Sequence, residues 1–187
     1  MKTRKEKPIM DGVEFDSREE VEFYAWCKEA EEYGFIRLPE YHPEPFELSS
    51  AVFLKEPRQL KTKVKMVERC LFRAHCYQPD FGFNASMKFL ELGHRLHMSS
   101  PNSSFFYIDI KGGFEPTRSK EQVFSINQKW VYAKYGIYIN KVVPREFFAR
   151  TWAPNLRNKR TGWKLEKYAN CRSVEDVDHE PIEMEFN

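Results

Sequence analysis

The spacing of apolar residues along the chain predicts helices separated by strands. Between Arg18 and Tyr33 apolar side chains recur at helical spacing, Ser17 is placed to cap the start, and Gly34 supplies a left-handed end. A second helical pattern spans Ser119 to Tyr135 and stops at Gly136. Two helices are therefore expected, one near the N-terminus and one late in the chain.

The second helix is predicted to bury one apolar stripe. Its helical period places Val123, Ile126, Trp130 and Ala133 on a single face. We expect that face to pack against a sheet.

Short runs of β-prone residues between and after the helices predict the strands. The run Phe105–Ile110 is apolar almost throughout, which predicts a central strand, and Pro79 should end an earlier strand because it lacks a backbone donor. The remaining candidates are short pieces within 35–48, the neighbouring antiparallel pair 51–54 and 63–67, a longer strand over 69–81 and a last strand over 137–143.

This order of helix, several strands, helix and strand predicts an α/β fold with a single core, as suits a chain of 187 residues. The predicted organisation has a basic N-terminal arm over 1–10 and a main domain over 11–150. Residues 86–104 are interpreted as an insertion in that domain, and 151–187 as a C-terminal extension that is first basic and then acidic.

Composition limits the classes of protein to which the chain can belong. Hydrophobic residues at 41% and aromatic residues at 16% predict a folded chain, and there is no apolar run long enough to span a membrane. The charged N-terminus lacks the apolar stretch of a secretory signal, so a cytoplasmic location is expected. Neither a nucleotide-binding glycine motif nor a zinc-type cysteine pair is present, so no nucleotide cofactor is expected.

The net charge of +2 alone does not suggest a nucleic-acid partner, but the distribution of charge along the chain is more informative. Basic residues collect in 2–7, 55–65 and 157–164, and acidic residues in 175–185. Within the third basic segment, Trp163 is available to stack on a base. The residues expected to contact nucleic-acid phosphates there are Arg157, Lys159, Arg160 and Lys164.

Two short signatures carry the candidate chemistry. Pro79-Asp80 stands at a predicted strand end, and 29 residues later Asp109-Ile-Lys111 interrupts the most apolar strand. Alternate residues of a strand share a face, so Asp109 and Lys111 should project from the same side, roughly 7 Å apart. If the strand were exposed, an ordinary ion pair between Asp109 and Lys111 would explain the triplet. On a buried strand, unpaired charged groups are energetically costly, so their presence there favours a functional role.

Phosphodiester hydrolysis needs this combination of side chains. Asp80 and Asp109 offer the hard oxygen ligands that Mg²⁺ prefers, and two carboxylates about 4 Å apart repel by about 4 kcal/mol at an effective dielectric of 20 unless a cation intervenes. Lys111 is able to orient the attacking water or to oppose the charge that develops in the transition state.

The two signatures resemble the PD-(D/E)xK nucleases, and within them phage-encoded endonucleases related to Holliday junction resolvases, over roughly Asp11 to Val143. The resemblance implies a restriction-endonuclease-like αβββαβ core, with a mixed central sheet flanked by helices. It also implies DNA cleavage with one or two Mg²⁺ ions, for which Mn²⁺ substitutes. The expected substrate is branched DNA, cut by a homodimer. If the chain is phage-encoded, its location is the host cytoplasm.

The resemblance also suggests further site residues. In those nucleases the first helix opens as Phe15-Asp-Ser-Arg-Glu-Glu20 does here, which adds Glu20 to the metal site. The same Ser-x-x-Glu pattern is a capping box, and both interpretations stay open, with Glu19 as a substitute ligand. Gln128-Lys-Trp-Val-Tyr132 resembles the Gln-x-x-x-Tyr motif of related members, so Gln128 becomes a catalytic candidate and Lys129 a phosphate contact.

Two other functions remain open at this point. The chain could be a nuclease-derived binding or structural protein that has kept the fold, or a phage exonuclease or restriction-type enzyme. A lost site would be expected to show substitution at Asp80, Asp109 or Lys111, and all three are present.

Overall fold

The computed structural model describes residues 7–112, 118–156 and 166–178. In these ranges the strands are β1 Ile9–Met10, β2 Val13–Glu14, β3 Ile36–Tyr41, β4 Phe46–Ser49, β5 Val52–Gln59, β6 Val64–Phe72, β7 His75–Tyr77, β8 Phe81–Ala85, β9 Phe105–Ile110 and β10 Ile139–Val142. The helices are α1 Arg18–Glu32, α2 Met87–Leu90, α3 Arg118–Tyr135, α4 Pro144–Phe148 and α5 Val174–Asp178, with a 3₁₀ turn at Glu166–Tyr168.

A four-stranded sheet in the order β10-β9-β8-β3 forms the centre of the molecule. Strands β3 and β8, and β8 and β9, pair antiparallel, whereas β9 and β10 pair parallel. The α/β class and the mixed sheet flanked by helices are therefore confirmed. The antiparallel β8–β9 pair brings the start of β8 beside the end of β9, which is where both predicted signatures lie.

Helix α1 begins and ends where its sequence predicts. The Ser17 hydroxyl accepts a hydrogen bond from the Glu20 N–H at 3.2 Å, and Gly34 follows the helix with φ +74°. A left-handed backbone of this kind suits glycine because it has no Cβ. The face turned to the sheet includes the fully buried Phe23 and Trp26.

An aromatic core fills the space between the sheet and α1. The Trp26 ring stacks on Trp152 with centroids 4.9 Å apart, and Phe83 stacks on Phe106 at 5.6 Å. Trp152 is fully buried and Tyr168 is 2% exposed, so part of the predicted C-terminal extension belongs to this core. At the other end of the chain, Ile9–Met10 pairs with Val13–Glu14.

Helix α3 covers the opposite face of the sheet, and the predicted stripe is wrong. Over residues 121–135 of this helix the buried residues are Phe124, Asn127 and Val131, and Phe124 and Val131 pack in one cluster with Ile139 of β10. The four residues expected to be buried, Val123, Ile126, Trp130 and Ala133, are exposed. Apolar side chains occur on two faces of this helix, and the sheet contacts the face that carries Phe124.

The long strand predicted over 69–81 is divided between three shorter ones, β6, β7 and β8. The two strands predicted at 51–54 and 63–67 are antiparallel neighbours as expected, but both are longer: Val52–Gln59 pairs with Val64–Phe72 as a two-stranded ribbon. In that register 52–54 lies opposite 69–72, and 64–67 lies opposite 56–59. A shorter pair, β4 with β7, lies between that ribbon and the body of the domain.

Candidate active site

Asp80 is fixed by backbone hydrogen bonds at the start of β8. Its N–H donates to the Ile108 carbonyl at 3.0 Å, and its carbonyl accepts from the His42 N–H at 2.9 Å. The side chain is held as well, since Oδ2 accepts the Ile110 N–H at 2.6 Å. The Asp80 carboxylate is thus clamped against the end of β9.

Asp109 and Lys111 stand on that end of β9, and β10 continues the pairing past it. The Lys111 N–H donates to the Val142 carbonyl at 2.8 Å, so the backbone is still ordered by the sheet at this residue. The Lys111 ammonium is in ion-pair contact with Asp109 Oδ2, and it lies 5.3 Å from the centre of the Phe124 ring. The same-face projection predicted from strand alternation is therefore observed.

The ion pair is not on an exposed strand, because Asp109 is only 4% exposed. Burial raises the pKa of Asp109, although Lys111 lowers it. The pKa of Asp80 is raised to about 7, first by burial and then by the charge of Asp109, against the stabilising Ile110 N–H. The Glu20 carboxylate raises the pKa of both groups. One lysine does not neutralise this set of carboxylates.

Two buried oxygen atoms at the site lack a hydrogen bond of good geometry, although one of them, Asp109 Oδ2, keeps the Lys111 ammonium as its ion-pair partner. Among the described residues, Asp109 Oδ2 and the Tyr77 hydroxyl have no hydrogen-bond partner of good geometry. Burial and the nearby charge of Asp109 raise the pKa of Tyr77. The Lys111 ammonium pairs with Asp109 Oδ2, but one lysine leaves Asp80, Asp109 and Glu20 with an excess of negative charge, which a cation would offset. Asp80 and Asp109 therefore fit a divalent cation by the chemistry of their oxygens.

Glu20 has the hydrogen bonds of a capping residue, and it is also close enough to act on the carboxylates. Its Oε1 accepts the Ser17 hydroxyl at 2.7 Å, and its Oε2 accepts the Asp16 N–H at 3.0 Å and the Tyr41 hydroxyl at 2.9 Å. In a capping box the carboxylate returns to the N–H of the cap residue, and here it reaches one residue further. Both interpretations of Glu20 therefore keep support.

A second group of possible metal ligands lies beside Glu20. Asp16, Glu20 and His42 offer ligand atoms within 4.8 Å of one another. A metal ion could be held there, but the ligands are already engaged: Asp16 pairs with Lys7 at 2.8 Å, which lowers the Asp16 pKa. Asp80 and Asp109 are the stronger candidates because their charges are less compensated.

Gln128 lies on α3, with its side chain fixed to β10. Its Nε2 donates to the Ile139 carbonyl at 2.6 Å, and the side chain is half-buried. Lys129 is exposed on the same helix. The structure therefore does not bring Gln128 into hydrogen-bond contact with either carboxylate, and its described bond positions α3 on the sheet.

The remaining predicted nucleic-acid contacts are Arg157, Lys159, Arg160 and Lys164, which lie outside the described residues. Sequence reasoning missed Tyr41, Tyr77 and His42 at the site. Each is brought there by strand pairing between distant segments, and an isolated aromatic residue in a strand is ordinarily interpreted as core. The neighbourhood of Pro79-Asp80 was the sole available signal for Tyr77.

No family model, curated protein or solved structure matches this chain. None of the helices in the described ranges is long and apolar enough to cross a membrane.

Proposed function

We propose that the protein is a Mg²⁺-dependent DNA endonuclease of the PD-(D/E)xK type. The observation that carries the proposal is the grouping of buried Asp109 with half-buried Asp80 and Lys111 at one end of the sheet, with both carboxyl pKa values raised. Carboxyl groups with strongly raised pKa values cluster at functional sites, which supports a catalytic role for this group. The element order α1, β3, β8, β9, α3, β10 agrees with a restriction-endonuclease-like αβββαβ core.

Asp80 and Asp109 would hold the cation, with Glu20 as a further ligand through Oε1, which accepts only the Ser17 hydroxyl among its described bonds. When bound, Mg²⁺ or Mn²⁺ supplies charge neutralisation for the phosphoryl oxygens and activation of water. The Ile110 N–H keeps Asp80 in one orientation throughout. One or two ions are consistent with this ligand set.

Lys111 would act on the reacting phosphate and water. Its ammonium contacts Asp109 and its side chain is 29% exposed, so it is able to reach a phosphate without leaving the carboxylate. It can orient the nucleophilic water and oppose the charge that develops on the phosphate. Gln128, held on the Ile139 carbonyl, would position α3 and the exposed Lys129 beside a DNA backbone.

Branched DNA is the proposed substrate, and a homodimer would cut its two strands symmetrically. The proposal is tested by incubating the purified protein with supercoiled, linear, single-stranded and four-way junction DNA, each with Mg²⁺, Mn²⁺ or EDTA. We expect cleavage with either metal and none in EDTA. Nicking of supercoiled circles separates an endonuclease from an exonuclease.

Matched variants connect cleavage to the site. Asp80→Asn and Asp109→Asn each remove a ligand charge but keep the shape, so cleavage should fall by roughly a thousand-fold or more. Lys111→Ala should lower the rate sharply with DNA binding retained, since its contribution belongs to the transition state. Asp11→Asn, an exposed carboxylate paired with Lys28, should cleave normally. Near-normal cleavage by Asp80→Asn or Asp109→Asn would contradict the proposal.

A nuclease-fold binding protein without catalysis is the second candidate. It is favoured by the exposed basic ribbon formed by β5 and β6, whose cations suit a phosphate backbone. Metal-independent DNA binding without cleavage on any of the four substrates would support it over the nuclease.

A further inference from the structure

The ribbon arm, defined as residues 52–72, stands away from the body of the domain. It consists of β5, a four-residue loop closed by the Leu60 N–H on the Lys63 carbonyl at 2.8 Å, and β6. Along both strands and the loop, all residues are exposed except Glu56 and Val67, which are half-buried. Both faces and both edges of the ribbon are thus open to a partner.

The root of the arm is held firmly. Strand β4 pairs with β7 just below it, and two donors of α3, Lys134 Nζ and the Tyr135 hydroxyl, meet the Glu47 carbonyl at 2.6 Å each. His75 Nε2 lies 3.0 Å from Asn127 Oδ1 on the same helix. The arm is therefore an anchored projection from the side of the domain.

The ribbon arm and Arg73, which follows it, carry an excess of positive charge. Residues 55–73 contain seven Lys or Arg and two Glu, a net charge of +5. Both Glu residues lie in the half nearer the root, where Lys55 pairs with Glu68 and Arg69 pairs with Glu56, each at 3.8 Å. The negative charge of the arm is thus confined to its root.

The outer half carries cations alone. They are Arg58, Lys61, Lys63 and Lys65, and none has an ion-pair partner among the described residues. Arg58 lies directly opposite Lys65 in the strand register. Like charges in that position destabilise a strand pair, so an anionic partner would relieve a repulsion built into the ribbon.

The two faces of the ribbon differ. Strand alternation places Glu56, Arg58, Lys65 and Arg69 on one face, with a net charge of +2. Phe53, Pro57 and Met66 lie on the other face, whose charged residues, Lys55 and Glu68, cancel. A basic face beside an apolar one suits a groove, where phosphates border sugars and base edges.

We propose that the ribbon arm inserts into a groove of duplex DNA, with its outer cations on the phosphates. The proposal rests on the proposed nuclease function and deepens it, because it names a duplex segment of the substrate as what the arm binds. A two-stranded ribbon fits the major groove of B-DNA. Eight residues of β5 extend roughly 27 Å, somewhat less than one turn of about 34 Å.

A second copy of the chain is a poorer occupant for the arm. Two arms laid together would each carry a net charge of +5 over 55–73, which opposes their association. Pro57 removes a backbone donor from β5, and the exposed lysines discourage the addition of another strand.

Duplex binding is measured by fluorescence anisotropy in EDTA, so that cleavage plays no part, over a series of salt concentrations. The test variant combines Arg58→Gln, Lys61→Gln, Lys63→Gln and Lys65→Gln. We expect its affinity to fall by roughly ten-fold or more and its salt slope to decrease by about three to four, since each phosphate contact contributes about 0.9. Circular dichroism should be unchanged.

The matched control combines Lys55→Gln with Glu68→Gln, which alters the same arm without changing its net charge. It should bind as wild type does. Equal affinity and equal salt slope in the four-site variant would overturn the inference, as would tighter arm-dependent binding to single strands than to duplex.

The outcome is separable from that of the nuclease proposal. If wild type binds duplex through the arm but cleaves nothing, the arm inference stands and the nuclease falls. If wild type cleaves and the four-site variant still binds normally, the nuclease stands and the arm inference falls. A changed sedimentation coefficient in the four-site variant, with duplex binding unchanged, would identify the arm as a chain–chain contact and overturn its assignment to DNA.

Discussion

The carboxylate end of the central sheet and the ribbon arm each hold an excess of charge of one sign, but they hold it in opposite surroundings. Asp109 is 4% exposed, whereas all four outer cations of the arm are exposed. Burial magnifies electrostatic energy, so the carboxylates show raised pKa values and need backbone clamps. Water screens the cations, so nothing has to fix them. The first region is built for a small ion and the second for an extended polyanion.

The carboxylate end and the ribbon arm also differ in how well they are packed. The carboxylate end rests on an aromatic core with Trp26, Phe83 and Phe106 fully buried. The arm has two strands and no core of its own, and an isolated hairpin is marginally stable in water. Mutations in the two regions should therefore differ greatly in their effect on the free energy of unfolding.

The largest contrast is expected from removing one aromatic ring in each region. Trp26→Ala should lower the free energy of unfolding by about 3–5 kcal/mol, because the cavity cannot collapse among the surrounding rings. Phe53→Ala, at a side chain 59% exposed, should change it by less than about 0.5 kcal/mol. Urea denaturation of both variants measures the difference. A Phe53 effect as large as that of Trp26 would show that the arm is packed in solution.

The second effect concerns pH. Because the folded-state pKa of Asp80 is raised to about 7, its protonated form stabilises the fold at low pH, and this contribution is lost as pH rises through about 7. Metal-free protein should therefore be less stable at about pH 8 than at about pH 5. Asp80→Asn keeps an acceptor for the Ile110 N–H and should recover on the order of 2 kcal/mol at the higher pH.

Mg²⁺ should replace the lost proton in wild type. Its addition at the higher pH is expected to raise the thermal midpoint of wild type and to do so much less in Asp80→Asn. A flat pH profile in metal-free wild type would show that the Asp80 carboxyl is better solvated than its burial implies.

A smaller effect distinguishes the two interpretations of Glu20. Ser17→Ala removes the cap and should lower the free energy of unfolding by about 1 kcal/mol, with cleavage per folded molecule unchanged. Glu20→Gln keeps a side-chain oxygen for the Asp16 N–H and the Tyr41 hydroxyl, so its stability loss should be smaller. If Glu20 is a ligand, cleavage by Glu20→Gln falls by orders of magnitude or requires more Mg²⁺. Wild-type cleavage would restrict Glu20 to capping.

The smallest effect is expected within the arm. Arg58→Glu replaces a like-charge pair opposite Lys65 with an attractive one, so the ribbon should gain roughly 0.2–1 kcal/mol. Amide hydrogen exchange in β5 and β6 detects this local gain, and Arg58→Gln is the intermediate control. The same change should weaken duplex binding. Faster exchange in Arg58→Glu would argue against the pairing.

Sequence alone predicted the parts of the fold that depend on local signals. Helix α1 has a side-chain cap at Ser17 and a glycine terminator at Gly34, and both signals are short-range. Strand β9 was predictable because its apolar run is uninterrupted except at Asp109. These elements also fix the same-face relation of Asp109 and Lys111, which follows from strand geometry alone.

Features that depend on tertiary packing were not predictable. Helix α3 has apolar residues on two faces, and only contact with the sheet decides that Phe124 rather than Ile126 is buried. The hydrogen bond from Ile110 to Asp80 joins residues 30 positions apart and has no sequence signature. The Tyr41 hydroxyl also donates a hydrogen bond to Glu20, and nothing in the capping motif predicts this contact.

The β4–β7 pair separates the ribbon arm from the site, so the arm can change in length without changing the site. Phe46 of β4 lies opposite Tyr77 of β7. Because this pairing fixes the chain just before Asp80, the position of Asp80 does not depend on the number of residues in the arm. Lengthening a hairpin past a fixed closure costs little entropy, about 0.6 kcal/mol for each doubling. Reach along DNA could therefore be adjusted by insertion or deletion in the ribbon while the geometry of the carboxylates stays constant.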